Sequence, residues 1–314
     1  MHHVSPRRQR LASLSLAILT SGLTAGLVLS CGEKPQEDMA ASTAASNNPA
    51  SVYSAVHASL GAPLLEQIAL GQNQDAELAK RQAEIDRLAA AASAGQCDFG
   101  ADYSSGMETK LPYLEQQRAL ARVLVADARR LAAAGDKDAA AKRTAAVFRM
   151  SSQIGQSART MIELLTAMAI AQIGCQVVEE APALSQAAWK TDIQQAITEA
   201  QRNVIGRGPD ALRSEGDMTI EWIRGAPDGA LVSLGMKKRT ATERAAAADT
   251  LGPLFAEAAA AWKDSSGTTR LAAIDQKAKQ AGVDDLFPGL VRLKGAFDKT
   301  SAMLAKTQAA LAKQ

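Results

Sequence analysis

Apolar residues recur at helical spacing through most of this chain, and no stretch alternates at the two-residue period of a half-buried strand. Two apolar clusters over residues 52–70, interrupted by Gly61-Ala62-Pro63, predict one or two short helices. Over residues 75–93, Leu78, Ile85, Leu88 and Ala92 share one face, with Glu77, Lys80, Arg81 and Glu84 largely off it, which predicts a further helix. Residues 95–110 break the pattern and predict a long loop.

Pro112 then stands in a first turn, where its missing amide proton costs nothing, and Tyr113, Leu120, Leu124 and Leu131 form the stripe that follows. Gly135 is placed to stop this helix and Asp136 to cap the next. Val147, Ile154, Met161, Met168 and Cys175 recur every seventh residue, predicting one long helix over residues 137–180. A two-residue link between such helices predicts an antiparallel αα-hairpin over residues 111–181.

Beyond Pro182, Trp189, Ile193, Ile197, Ala200 and Val204 mark a helix starting near Ser185, and residues 206–209 break it. A shorter helix over 210–224 and a turn at 225–229 follow. An Ala-rich helix over 240–263 carries Leu251, Leu254, Phe255, Ala258 and Trp262, with a kink expected at Gly252-Pro253. A short helix over 271–281 and a last one over 287–312, aligned on Leu290, Leu293, Phe297, Leu304 and Leu311, complete the pattern. The expected fold is all-α, an antiparallel helical bundle. The turn at Gly135-Asp136 loosely resembles a tetratricopeptide unit but does not recur at that unit's spacing of about 34 residues, so a bundle is favoured over a solenoid.

Composition agrees with close helix packing: hydrophobic residues make up 47% of the chain and aromatics only 4%, which leaves Ala, Leu, Val and Ile to build the core. The formal charge of +2 includes Arg7, Arg8 and Arg10; without them the remainder is slightly acidic, which gives no footing to nucleic-acid binding.

Those three arginines precede a mostly apolar run over residues 11–29 and then Ser30-Cys31-Gly32, the order of regions that marks a signal peptide. Val28-Leu29-Ser30-Cys31 resembles the lipobox of bacterial lipoproteins, with Leu29 the less usual member. The resemblance implies cleavage before Cys31, diacylglycerol on its thiol and an acyl chain on its amine. Gly32 in place of Asp favours the outer membrane over inner-membrane retention, and Arg7-Arg8 lacks the continuation of a twin-arginine signal. The alternative is an uncleaved anchor, since the run from Leu11 is about long enough to span a bilayer. Residues 1–30 are thus expected to be the leader, 31–51 a lipidated polar tether, and 52–314 the helical domain, with its C-terminal helices over 185–314.

Cys97-Asp98-Phe99, Tyr103, Gly106, Leu111-Pro112-Tyr113-Leu114 and Arg118, with Gly135-Asp136 and Ala139, form a pattern that resembles uncharacterised Ala-rich helical envelope proteins of environmental bacteria. The resemblance covers roughly residues 97–170 and implies a fold, with no chemistry attached.

Removal of the leader takes His2 and His3 and leaves His57, so Ser-His-Asp catalysis, the HExxH zinc motif and paired Glu-x-x-His di-iron sites have little or no basis. No CxxC, haem-attachment, phosphate-loop or GxGxxG motif is present, and no cofactor or metal is expected. Carboxylates remain. Glu163, inside the apolar run MIELLTAMAIA, is the residue expected to be semi-buried: a general acid, or a helix flank paired with Arg159. Glu215, near Gly216 and Trp222, is the second candidate, and Glu179-Glu180 reads as a solvated pair. Trp189, Trp222 and Trp262 either line a ligand cleft or belong to the core, the more frequent place for a tryptophan on a periodic face.

With Cys31 consumed by lipid, Cys97 and Cys175 are the even pair of an oxidising compartment, and a disulfide between them is expected if the loop after Cys97 folds over the long second helix. The resulting expectation is a lipid-anchored envelope protein, held to the membrane through Cys31, that works as a binding or scaffolding module for an envelope protein or glycan. The alternatives are a glycan hydrolase using Glu163 or Glu215 as acid, and a carrier of small apolar ligands.

Overall fold

Asn48 opens the body by accepting a hydrogen bond from the amide of Ala50, and Pro49 fills the first helical position. A computed structural model describes residues 48–264 and 267–313; the expected leader, Cys31 and most of the tether lie outside the described residues. Four short helices come first: α1 (Pro49–Leu60), α2 (Ala62–Ala69), α3 (Asp75–Lys80) and α4 (Gln82–Ala92). The tether boundary at residue 51 is therefore corrected, since helix begins at Pro49, fixed by the Asn48 cap. The helix expected over 75–93 is also divided, because the Gln82 side-chain amide turns back to the Leu78 carbonyl and across to Asp127 on the next helix. Leu78, Ile85, Leu88 and Ala92 are all buried, as their spacing requires.

The hairpin follows: α5 (Pro112–Ala133) and α6 (Lys137–Ser157) pack along each other. Gly135 takes φ +86, a conformation that a side chain disfavours, and the amide of Asp136 reaches back to the Leu131 carbonyl at 3.0 Å. The Asp136 carboxylate caps α6 by accepting from the amide of Ala139. α6 lies at the centre, touching α4, α5, α7 and α8, and 14 of its 21 residues are buried. Its neighbours are tied by ionic contacts: the fully buried Asp127 of α5 accepts from Arg130 at 2.7 Å, from Arg143 of α6 at 2.9 Å and from Gln82 of α4 at 3.0 Å.

The single helix expected over residues 137–180 is corrected to two. The chain breaks at residues 158–160, and α7 (Met161–Glu180) folds back on α6, bringing Ser151 to donate to the Ala167 carbonyl. Thr160 is extended, at φ −126 and ψ 157, and forms a capping box with Glu163 that starts a new helix. The seven-residue repeat crosses this break only because both helices bury the same kind of stripe. Among the described residues α7 alone is long and apolar enough to cross a membrane; here 67% of its most apolar window is buried inside the body, the place of a core helix.

The C-terminal half begins with a 3-10 turn over Pro182–Gln186 and continues through α8 (Lys190–Ala200), which packs on α6. A π-helical turn at Gln201–Ile205 leads to α9 (Gly208–Gly225), then α10 (Ala230–Ser233), α11 (Ala241–Ala261), α12 (Gly267–Gln280) and α13 (Leu290–Ala312). α11 runs through Pro253 without ending. α9 pairs with α11, and α13 covers α7. The described residues contain no strand, and the fold is an all-α bundle.

The disulfide expectation is corrected here: Cys97 and Cys175 are both buried free thiols. Their separation follows from the break in the long helix. Because α7 doubles back it runs parallel to α5, with Tyr113 of α5 beside Glu163 at one end and Arg129 of α5 paired with Glu180 at the other. Cys97 belongs to the first end, near Tyr53 and Ala50, and Cys175 to the second half of α7, beside Thr307 of α13. Burial pushes the Cys97 thiol up to about 12 and the Cys175 thiol to about 11, so both resist alkylation while folded. Unreduced protein denatured in urea is expected to label at both positions; labelling at neither would restore the disulfide.

Candidate functional site

The two glutamates singled out in the sequence meet at the first turn of α7. Glu163 is fully buried, and its carboxylate is saturated. Oε1 accepts from the hydroxyl of Tyr103 at 2.6 Å and from that of Tyr113. Oε2 accepts from the amides of Arg159 (2.9 Å) and Thr160 (2.8 Å) and from the Thr160 hydroxyl (2.7 Å). The Arg159 contact is made by its backbone; its guanidinium lies over the Tyr103 ring, 4.8 Å from the centroid. Burial first, and then the bond to Glu163, hold both tyrosine hydroxyls well above the ordinary phenol range, so each remains a donor.

Glu215, on α9, accepts from the amide of Met161 at 2.6 Å. Burial pushes its carboxyl above the usual range and the neighbouring Glu163 adds to this, while the Met161 amide opposes them. A carboxyl raised in the folded state favours the protonated form. The stability tied to Glu215 is therefore present below its unfolded value, near 4.5, and is lost as pH rises through the folded value. Glu215→Gln keeps an acceptor for Met161 and removes the charge. Its melting temperature is expected to exceed the parent's by roughly 2–4 °C at pH 7.5, the shift that about 1 kcal/mol makes in a chain of this size. The difference is expected to close by pH 4, and an unchanged or lower melting temperature at pH 7.5 would refute this.

Around this pair the loop over residues 97–110 is clamped. Phe99 stacks on Tyr113 with centroids 4.4 Å apart, and Gly106 packs so closely on Trp222 of α9 that a Cβ would sit 2.5 Å from the tryptophan's own Cβ. The arrangement is a junction joining loop, α5, α7 and α9. Every acceptor direction of Glu163 is filled by these donors, and Glu215 is tied to the same helix terminus through Met161. His57 sits in the last turn of α1.

The concave surface lies elsewhere. An open cleft of about 680 Å³ runs between α4, α6 and α8. Its α4 wall is small, with Ala89, Ala90, Ala92 and Ser93; Lys142, Arg143, Arg149, Ser152 and Gln156 rise from α6, and Asp192, Gln195 and Glu199 from α8. Trp189 stands at one end, just before the first turn of α8, and Arg202 of the π-helical turn at the other. The expectation that Trp189 shares the buried face of α8 is corrected: α8 starts at Lys190, and Trp189 is 42% exposed with the Lys142 ammonium 4.3 Å from its ring centroid. Trp262 is core, edge-on to Phe297, and Trp222 is half-buried under the loop.

Charge in the cleft is unevenly matched. Arg143 is held by Asp127 and Asp86, and Arg149 by Asp192, with Glu199 at 4.0 Å. Lys142 and Arg202 have no carboxylate partner among the described residues. The Gln156 side-chain oxygen is buried without a hydrogen-bond partner. Sequence reasoning named Trp189 as a possible cleft residue but not these cations, which are scattered over 60 positions and converge only through the packing of α6 against α8. No group of histidine, cysteine and acidic residues able to hold a metal occurs among the described residues. Compared with protein-family models, curated proteins and solved structures, the chain matches none.

Proposed function

We propose that this chain is a lipid-anchored binding module of the cell envelope, tethered through Cys31 and built to present the α4–α6–α8 cleft to a polar partner. The observation that carries the reading is the cleft: its volume is that of a ligand site, and two of its cations, Lys142 and Arg202, lack a carboxylate partner among the described residues. The lipobox-like run at Val28-Leu29-Ser30-Cys31 supports the anchor. Hydrolysis by Glu163 or Glu215 is disfavoured because both carboxyls are committed to the first turn of α7, and an apolar-ligand carrier is disfavoured because the cleft walls are charged.

Two measurements test it. The mature chain is expected to sediment with membranes and carry acyl mass on Cys31, and Cys31→Ala to abolish both; an unmodified Cys31 in the mature protein would remove the anchor. The purified body, residues 48–314, is expected to bind isolated envelope fractions, with retention cut at least tenfold in a Trp189→Ala, Arg202→Ala variant. Equal retention of parent and variant would remove the cleft as the binding site.

A further inference from the structure

We infer that the ligand of the α4–α6–α8 cleft is an acidic oligosaccharide, with one sugar ring seated on Trp189, its carboxylate on Lys142 and the far end of the chain at Arg202. The inference rests on the binding-module reading and adds a ligand class to it. Trp189 is 42% exposed, and the Lys142 ammonium lies over one flat apolar face of its ring. A ligand that takes this face must displace the lysine. An exposed cation–π contact is weak, so displacement is easy, but a neutral ring gives the ammonium nothing in return. A ring bearing a carboxylate keeps Lys142 at the site as an ion-pair partner. The geometry therefore selects a ring that has an apolar C–H face and a carboxylate at once, which describes a uronic acid and not an acidic peptide side chain.

The length of the site points to an oligomer. From Trp189, just before α8, to Arg202, just after it, the chain advances 13 residues, about 20 Å at a helical 1.5 Å per residue. The middle of the cleft is polar and offers no free cation, because Arg149 is occupied by Asp192 and Glu199, and Arg143 by Asp86 and Asp127. Its alanine wall admits rings close to α4, and Gln195 with the unpartnered oxygen of Gln156 faces hydroxyl groups. Charge is wanted at the two ends.

Calorimetric titration of the body with a polyuronate hexamer tests this, alongside the same hexamer methyl-esterified and a glutamate hexapeptide of equal charge. The acidic hexamer is expected to bind at least tenfold more tightly than either. Trp189→Ala is expected to weaken it at least tenfold, and Lys142→Gln and Arg202→Gln about fivefold each, with affinity falling as salt rises. These three side chains are partly or largely exposed, and unchanged melting temperatures will show that the variants fold. Equal binding of ester and acid, equal binding of the peptide, or no binding of the hexamer would each overturn the ligand class. If the hexamer fails while envelope retention still depends on Trp189 and Arg202, the binding module stands and only its ligand is wrong.

Discussion

Glu163→Ala is expected to cost the folded chain about 3–5 kcal/mol, the range found when one partner of a buried charged network is removed. The substitution takes away an acceptor shared by two tyrosine hydroxyls, two backbone amides and a threonine hydroxyl, all in the interior or at its edge. Each buried donor left without a partner costs about 1–3 kcal/mol, and the first turn of α7 recovers only part by taking up water. Tyr103→Phe and Tyr113→Phe each remove one of the five bonds and leave the carboxylate otherwise served, so each is expected to cost about 1 kcal/mol. Urea denaturation measures all three. A loss below about 1 kcal/mol in Glu163→Ala would show that the junction is dispensable. The loop over 97–110, which depends on Tyr103 reaching Glu163, is expected to become the first site of proteolysis in that variant.

Gly155→Ala is expected to cost about 3 kcal/mol although alanine is the better helix former. In mid-helix the exchange gains about 1 kcal/mol from propensity. Against this, a Cβ at Gly155 runs into the backbone carbonyl of Asn203, and into a Val204 methyl at 2.8 Å. Asn203 and Val204 belong to the π-helical turn, whose backbone cannot move aside without shifting α8 and α9, so overpacking wins. Gly295→Ala provides the contrast. That glycine is also inside a helix, and a Cβ there meets nothing within 4 Å, so the same substitution is expected to stabilise by about 1 kcal/mol. If the two variants move thermal stability in the same direction, the close approach of α6 and the π-helical turn is not what fixes their packing.

The pattern of apolar positions located most helices because burial depends on the stripe alone. Leu120, Leu124 and Val147 are fully buried where spacing placed them, and Gly135-Asp136 closes the hairpin as read. The break at residues 158–160 went unread for a physical reason. A heptad stripe shows which side of a helix is covered but not whether the chain has reversed, and the reversal depends on hydrogen bonds by Thr160 and Glu163. Those two residues do stand in the spacing of a capping box, so the signal was present but masked by the repeat around it. The disulfide expectation depends on Met161–Glu180 continuing α6; with the chain reversed, Cys175 lies away from Cys97 and both thiols are free. Glu163 and Glu215 were chosen one at a time for their apolar surroundings. That they share one helix terminus, where Glu215 bonds the amide of Met161 from 54 positions away, is a property of tertiary packing and leaves no local trace. The cleft was illegible for the same reason, since its walls come from three helices.

On the export reading proposed above, α7 also bears on how the chain is made. A chain that crosses a membrane unfolded passes its segments through the translocation channel one at a time, and each has the choice of slipping sideways into lipid. Met161–Glu180 has a mean hydropathy of 1.6 over its most apolar window, and by length and composition it is long and apolar enough to cross a membrane. Its polar residues, Glu163, Thr166 and Gln172, work against that exit before any tertiary contact exists. Gln172 later bonds Thr300 of α13, and Glu163 becomes the centre of the junction. The apolar content of this core helix is then bounded from two sides, from below by what the bundle needs to fold and from above by what a membrane would keep.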